Sequence, residues 1–198
     1  MGDVITALVF AAFSAEAFIN DFTATLGDDD SWTSQARQHY PVLATTATAL
    51  EQAEEQRKTT AEKFLIASGC LMEVPFKKDQ RPYRDFRLLM AVRDTLAHHK
   101  QGEPGPVVLG PPDPTGQVRA TFVTLPPPEN KLLRQLHSLN ILGDKGDYLG
   151  RLATPKVARW GCNTTAEIVG AVLTMLPAPG DSFIDHVRRI YDHFHPIP

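Results

Sequence analysis

Two residues five positions apart, Arg93 and His98, could together act on a phosphate. An imidazole titrates near neutral pH and can move protons, while a planar guanidinium holds a phosphate through two parallel hydrogen bonds. Asp94 lies four residues before His98, so on a helix its carboxylate would share a face with the imidazole and favour the protonated form. The three residues are therefore a candidate centre for phosphate chemistry with proton transfer.

Arg93 has an unusual place in its segment. Four apolar residues lie within about 80° of Phe86 on a helix of 3.6 residues per turn: Leu89, Met90, Leu96 and Ala97. Arg93 falls in the middle of this stripe, where an unpaired guanidinium would cost several kcal/mol, so it requires an anion. Glu16, with Asn20 four residues later, could form a structural ion pair with it. A bound phosphate is the functional alternative, and the two are compatible if Glu16 orients the arginine.

The opposite face of the same segment is basic and carries Arg81, Arg84 and Arg87. Residues 77–100 hold seven Lys or Arg and three Asp, although the whole chain has a net charge of -3. An acidic total excludes nucleic-acid binding through a global basic field, but a local stripe of this kind could follow a nucleic-acid backbone. A solvated helix face is the alternative.

Helix geometry limits how Arg93 and His98 could act together. On an ideal helix, His98 points about 140° away from Arg93 and lies about 7.5 Å further along the axis. A shared site therefore needs either an unwound helix end or a second protomer, and a homodimer with a composite site is the simpler solution. The spacing alone is weak evidence, because it is expected about once by chance in such a chain and recurs at Arg188 and His193.

The elements that must position these residues are predicted to be helices. Hydrophobic periodicity predicts six or seven of them, over residues 4–25, 32–56, 60–74, 82–100, 131–142, 155–176 and 182–195. Pro41 falls inside the second span, so we expect a kink or break near Tyr40. Residues 101–130 contain eight prolines and four glycines, which predicts a long loop with room for one short β-hairpin.

Length and composition favour one all-α domain over residues 1–198 in a reducing compartment. Cys70 and Cys162 form neither a disulfide framework nor a zinc pattern, and we expect no metal and no other cofactor. The apolar stretch at residues 4–13 follows Asp3, the wrong charge for a signal peptide, and Ser14 and Glu16 interrupt it. We therefore expect a buried core helix, a cytoplasmic protein and no membrane association.

Several strings in the sequence resemble a known family. RDTLAH at residues 93–98, preceded by RPYRDF at 81–86, resembles the signature helix of the HEPN superfamily, the helical domains of many prokaryotic ribonucleases and toxins. ALVFAAFSAEAFIND near the start and RLATPKVARWGCNTTAEIVGAVLTMLP near the end resemble bacterial HEPN-like proteins. The likeness thus covers most of the chain except the loop at residues 101–130.

The resemblance implies a HEPN-like helical bundle in which Arg93 and His98 are the catalytic pair. Asp94 would be the polar neighbour, where the family more often has Asn. His99 stands where an aromatic residue is usual, which leaves open which of the two histidines acts. The family typically dimerises with its two motif helices facing each other, which meets the geometric requirement above.

Two functions follow from the residues and the resemblance together. The first is a metal-independent endoribonuclease of toxin or defence type, in which the RNA 2′-OH attacks its own phosphodiester and leaves a 2′,3′-cyclic phosphate. Arg81, Arg84 and Arg87 would guide single-stranded RNA, and a cognate antitoxin would be a possible partner. The alternative is a catalytically inactive helical homodimer that binds a nucleotide or a protein.

Overall fold

The computed structural model describes residues 2–72, 75–97, 107–109, 120–122, 129–144 and 148–198, and within them the chain is an all-α helical bundle. Nine helices and two short strands make up this part of the chain, in the order α1 Gly2–Gly27, α2 Ser31–His39, α3 Pro41–Glu55, α4 Thr60–Leu71, α5 Tyr83–Ala97, β1 Val107–Leu109, β2 Ala120–Phe122, α6 Glu129–Ser138, α7 Tyr148–Leu152, α8 Pro155–Met175 and α9 Ser182–Ile190. The strands pair antiparallel, with Val108 opposite Thr121.

Helix α1 supplies the centre of the core. Its buried residues recur every three or four positions and include Leu8, Ala15, Ile19 and Phe22. It packs against α3, α4, α5 and, most extensively, α8. Gly161 of α8 lies so close that an added Cβ would meet Leu8 Cδ2 at 2.8 Å. The two longest helices therefore form a close pair on which the others are arranged.

The length of α1 corrects one sequence-based expectation. The helix predicted over residues 4–25 is present, but Ser14 and Glu16 do not make its apolar run too short for a membrane-spanning helix. Among the described helices, α1 is the one long and apolar enough to span a membrane by length and composition. The core helix of a soluble protein passes the same test, and eight residues of α1 are buried within the bundle.

Helix α5, which carries Arg93, is fixed to the bundle along its buried face. Phe86 and Leu89 are fully buried, and the Phe86 ring lies 4.8 Å from that of Phe64 in α4, edge to face. The Tyr83 hydroxyl donates a hydrogen bond to the carbonyl of Ala61 at 2.9 Å. These contacts set the rotation of α5 and so the direction of Arg93.

The ends of several helices differ from the prediction. The break expected near Tyr40 is present, with Pro41 as the first residue of α3, but α4, α6 and α9 end three to five residues earlier than predicted. After α6, Asn140 adopts a left-handed φ of 55°, which a helix cannot continue through. The five-residue α7 was not predicted, because one turn is too short to show a period. Residues 98–100 of the predicted fourth helix and most of the loop at 101–130 lie outside the described residues.

Candidate functional site

Arg93 is held by two carboxylates of its own chain. Its Nη2 donates to Glu16 Oε2 at 2.7 Å, and its Nη1 donates to Asp94 Oδ1 at 3.0 Å. The guanidinium carbon lies 5.5 Å from the centre of the Phe13 ring, and 22% of the side chain is exposed. The Glu16 ion pair that the sequence offered as a candidate is therefore present, and Glu16 can orient the guanidinium.

The Arg93 guanidinium still has an unused donor. Its Nε is buried and has no hydrogen-bond partner in the described part of the chain. A guanidinium has five N–H donors in a fixed fork, and a carboxylate on each terminal nitrogen does not exhaust them. The buried Nε is out of reach of a ligand, but each terminal nitrogen has a second hydrogen, so the 22% exposed guanidinium can still donate to a further acceptor.

Arg93 lies in the wall of an open groove of about 520 Å³, which we call the site groove. It is bounded by α1, the end of α3, the start of α4 and the outer face of α5. Its charged lining residues are Glu16, Glu54, Arg57, Lys58, Lys63, Arg87, Arg93 and Asp94. All three acids are ion-paired with Arg93 or Lys63. The groove therefore has an excess of positive charge, which suits an anionic ligand.

Lys63 forms a second polar cluster in the site groove. Its ammonium group donates to Asn20 Oδ1 at 2.9 Å and to Glu54 Oε2, and only 10% of the side chain is exposed. Asn20 therefore lies in the groove but contacts Lys63, while Glu16 contacts Arg93. The sequence analysis missed Lys63. It lies on the buried face of α4, between Thr60 and Ala67, just as Arg93 lies on the apolar face of α5, so the same pattern could have identified it.

Arg57 reaches the site groove from the end of α3 in a strained backbone conformation. Its φ is 53°, in the left-handed region that normally selects glycine at a helix end. The neighbouring amides close the helix, with Arg57 N–H donating to the Glu54 carbonyl and Lys58 N–H to that of Ala53. Among the described residues, no carboxylate forms an ion pair with Arg57.

The three arginines predicted to bind RNA have different environments. Arg81 Nε and Arg84 Nε donate to opposite oxygens of Asp85, at 2.6 and 2.8 Å. Asp85 is 1% exposed, so this pairing neutralises a buried acid that the sequence analysis did not single out. Arg87 is exposed and forms no ion pair with a carboxylate in the described ranges. Of the three, Arg87 is the one that lines the site groove.

His98 and His99 lie outside the described residues, so the predicted contact between Asp94 and His98 also lies outside them. The Asp94 carboxylate accepts a hydrogen bond from Arg93, and it is exposed enough to accept others. Four residues that the sequence analysis named therefore lie at one groove in the structure: Glu16, Arg87, Arg93 and Asp94. The proton-transfer residue of the hypothesis rests on the sequence alone.

Two titratable groups beside the groove have shifted pKa values. Hydrogen bonds from the Thr59 amide and hydroxyl to the Glu62 carboxylate lower the pKa of Glu62, as part of the capping box that begins α4. Burial raises the pKa of the Tyr83 hydroxyl, which therefore stays protonated and donates to Ala61. Neither group is a candidate base at neutral pH; both hold the start of α4 and α5 in place.

Among the described side chains, no cluster of three His, Cys, Asp or Glu residues is arranged to hold a metal ion. Comparisons with protein-family models, with curated proteins and with solved structures find no match for this chain.

Proposed function

We propose that this chain is a HEPN-type endoribonuclease of the cytoplasm that cleaves RNA without a metal ion and acts as a homodimer. The observation that carries the proposal is the Arg93 guanidinium, which is 22% exposed, is fixed by Glu16 and Asp94, and keeps further N–H donors on its two terminal nitrogens. It lies in a groove that also presents Arg57 and Arg87. This is an arrangement suited to a phosphodiester.

In the proposed reaction, the 2′-oxygen of a ribose attacks the adjacent phosphorus and the bond from phosphorus to O5′ breaks. The 2′-OH proton passes to a base, and a proton is delivered to the departing O5′, leaving a 2′,3′-cyclic phosphate and a 5′-OH. His98 moves these protons. Arg93 stabilises the negative charge that accumulates on the non-bridging phosphate oxygens.

The homodimer of this proposal is supported by apolar surface beside Arg93. Phe10 and Phe13 on α1 are 64% and 48% exposed, which is unusual for residues of this size. Phe13 is the residue over which the Arg93 guanidinium lies. A second protomer placed against these rings would remove water from the site groove and strengthen the electrostatic effect of Arg93.

The proposal is tested by incubating purified protein with single-stranded RNA in excess EDTA. Wild type is expected to cut the RNA and leave 5′-OH ends, which a polynucleotide kinase labels without prior phosphatase treatment. Arg93→Ala and His98→Ala are expected to lose at least about a hundredfold in rate. Arg189→Ala, which removes an exposed arginine on α9, is the matched control. No cleavage by folded wild type, or equal cleavage by all variants, would refute the assignment.

One observation favours a second candidate function, the catalytically inactive homodimer. Two carboxylates already contact Arg93, so its charge is satisfied without any phosphate. In that case the site groove would bind a nucleotide or a partner protein, such as an antitoxin, without chemistry. Wild-type protein that binds RNA or a nucleotide but leaves unmodified RNA intact would favour this candidate.

A further inference from the structure

We infer that a second groove, between α5 and α6, binds the phosphate backbone of single-stranded RNA and leads the strand to Arg93. The inference rests on the proposed function, since it takes RNA to be the substrate of the site groove. It assigns binding roles to Lys78 and Lys131, which the sequence analysis did not single out.

The second groove, which we call the α5–α6 groove, is the larger of the two, with a cavity volume of about 770 Å³. Lys78, Arg84 and Arg87 line one side, and Lys131 with the polar side chains of Gln135 and Ser138 lines the other. Amide and hydroxyl groups beside cations are typical of surfaces that contact phosphate and sugar.

The positive charge in the α5–α6 groove is free to act on a ligand. Lys78, Arg87 and Lys131 are exposed, and none forms an ion pair with a carboxylate of the described residues. Of the two acids in the lining, Asp85 is buried and neutralised by Arg81 and Arg84. Asp79 remains as the one unneutralised acid of the described lining, so the groove carries a clear positive excess.

The two grooves adjoin along α5. Arg87 and Ala91 line both the α5–α6 groove and the site groove. From Arg84 to Arg93 the helix rises about 13.5 Å, so cations on one side of α5 lie within a few nucleotides of Arg93. A strand held by Lys131 and Arg87 would therefore reach Arg93 without leaving the positively charged surface.

The shape and lining favour a single strand over a duplex. The cations border one channel between two helices, whereas a duplex presents two backbones across a wide shallow groove. Half-buried Leu88, Leu132 and Leu139 form the apolar part of the wall, and no aromatic side chain of the described residues lines it. Recognition would thus come from the backbone, with little base preference and a strong dependence on salt.

Binding is measured separately from cleavage with a fluorescein-labelled RNA whose 2′-OH groups are all methylated. The double variant Lys78→Glu/Lys131→Glu is expected to raise the dissociation constant about tenfold or more and to reduce the slope of log K against log salt by about 1.4. The double variant Lys156→Glu/Arg189→Glu makes the same change of charge on α8 and α9, outside both grooves, and is the matched control. Unchanged affinity and slope in the first variant, or an equal loss in the control, would overturn the inference.

Cleavage of unmodified RNA distinguishes the failure of this inference from the failure of the proposed function. The Lys78→Glu/Lys131→Glu variant should raise KM about tenfold and leave kcat within about twofold, because the changed residues are remote from the scissile bond. If wild type binds the methylated RNA through these lysines but cuts no unmodified RNA, the RNA-binding role of the α5–α6 groove is supported and the proposed endoribonuclease activity is refuted. Tighter binding of a duplex than of the single strand would overturn the assignment of a single-strand groove.

Discussion

At the residue scale, the ion pairs of Arg93 would have two opposite effects on the proposed binding of a phosphate. The carboxylates of Glu16 and Asp94 fix the direction of its guanidinium, yet their negative charges also repel a phosphate. Glu16 and Asp94 are 37% and 58% exposed, so water screens part of this repulsion. A carboxylate that holds such an arginine in one orientation therefore also lowers the affinity of the arginine for a phosphate.

This balance predicts the effect of Glu16→Gln. The amide oxygen can still accept the hydrogen bond from Arg93 Nη2, so the guanidinium keeps its direction while the groove loses one negative charge. We expect the affinity for methylated RNA to rise about fivefold, or about 1 kcal/mol. Fluorescence anisotropy measures it, with Glu51→Gln, a change of charge outside the site groove, as the control. Weaker binding by Glu16→Gln would show that Glu16 does not compete with the ligand.

Tyr191 is predicted to make stability depend on pH in the alkaline range. Burial and a 2.6 Å hydrogen bond to Asp21 raise the pKa of Tyr191 above its usual value near 10. The folded state therefore favours the neutral phenol, and this contribution is complete below about pH 10 and is lost as pH rises towards the folded-state pKa. Tyr191→Phe should lower the free energy of unfolding by about 1 kcal/mol at pH 7.

Urea denaturation between pH 7 and pH 11 tests this, and the difference between wild type and Tyr191→Phe should shrink above pH 10. Tyr40→Phe is the control, because the Tyr40 hydroxyl forms no hydrogen bond within the described residues. A constant difference across the whole pH range would mean that the hydroxyl contributes through packing alone.

Sequence reasoning found Arg93 and its partner but missed other charged residues of the site. A cation in the middle of an apolar stripe implies an anion, and the acid within the apolar first helix was the available candidate. Lys63 is likewise a cation on the apolar face of a helix, α4, and its acidic partner could have been sought in the same way. Asp85 could not be found in this way, since whether an acid next to three arginines is exposed or buried depends on how α5 packs, which periodicity does not determine.

At the element scale, the end of α3 holds Arg57 in a conformation that costs about 1 kcal/mol for a non-glycine residue. We expect Arg57→Gly to raise the free energy of unfolding by about 1 kcal/mol and to weaken binding of methylated RNA about threefold or more, since one groove cation is lost. Urea denaturation and anisotropy measure the two effects. Asn140→Gly, at the second left-handed non-glycine position of the described residues, should change stability without changing affinity. Unchanged RNA affinity in Arg57→Gly would show that Arg57 does not contribute to RNA binding.

The helices were predictable to different extents. Long amphipathic segments such as α1, α5 and α8 have strong periodicity, and Pro41 and Pro155 mark helix starts by their chemistry. Helix ends were less predictable, because α6 and α9 finish in irregular turns whose hydrogen bonds involve side chains and local backbone conformations. The start of α4 shows that a Thr and a Glu three residues later do fix a boundary when both hydrogen bonds form.

At the scale of the whole molecule, the exposed rings on α1 predict how the chain associates. If Phe10 and Phe13 form the dimer contact, Phe10→Glu/Phe13→Glu should yield a folded monomer that has lost most RNA cleavage. Light scattering coupled to size exclusion gives the mass, and circular dichroism checks the fold. Ile190→Glu, on α9, changes a residue that is also exposed and apolar and should leave the mass unchanged. A monomeric wild type that cleaves RNA would exclude a composite site.

The position of Arg87 in the walls of both grooves has a consequence for the genetics of this protein. If the chain captures and cuts RNA as proposed, a substitution at Arg87 affects both steps at once, so a loss of cleavage in an Arg87 variant has no single interpretation. Under the same proposal, a substitution at Lys131 affects capture alone and a substitution at Arg93 affects cleavage alone. A cell expressing the Lys131 and Arg93 mutants together should show no complementation if one chain must both capture and cut, and partial complementation if dimers share the work.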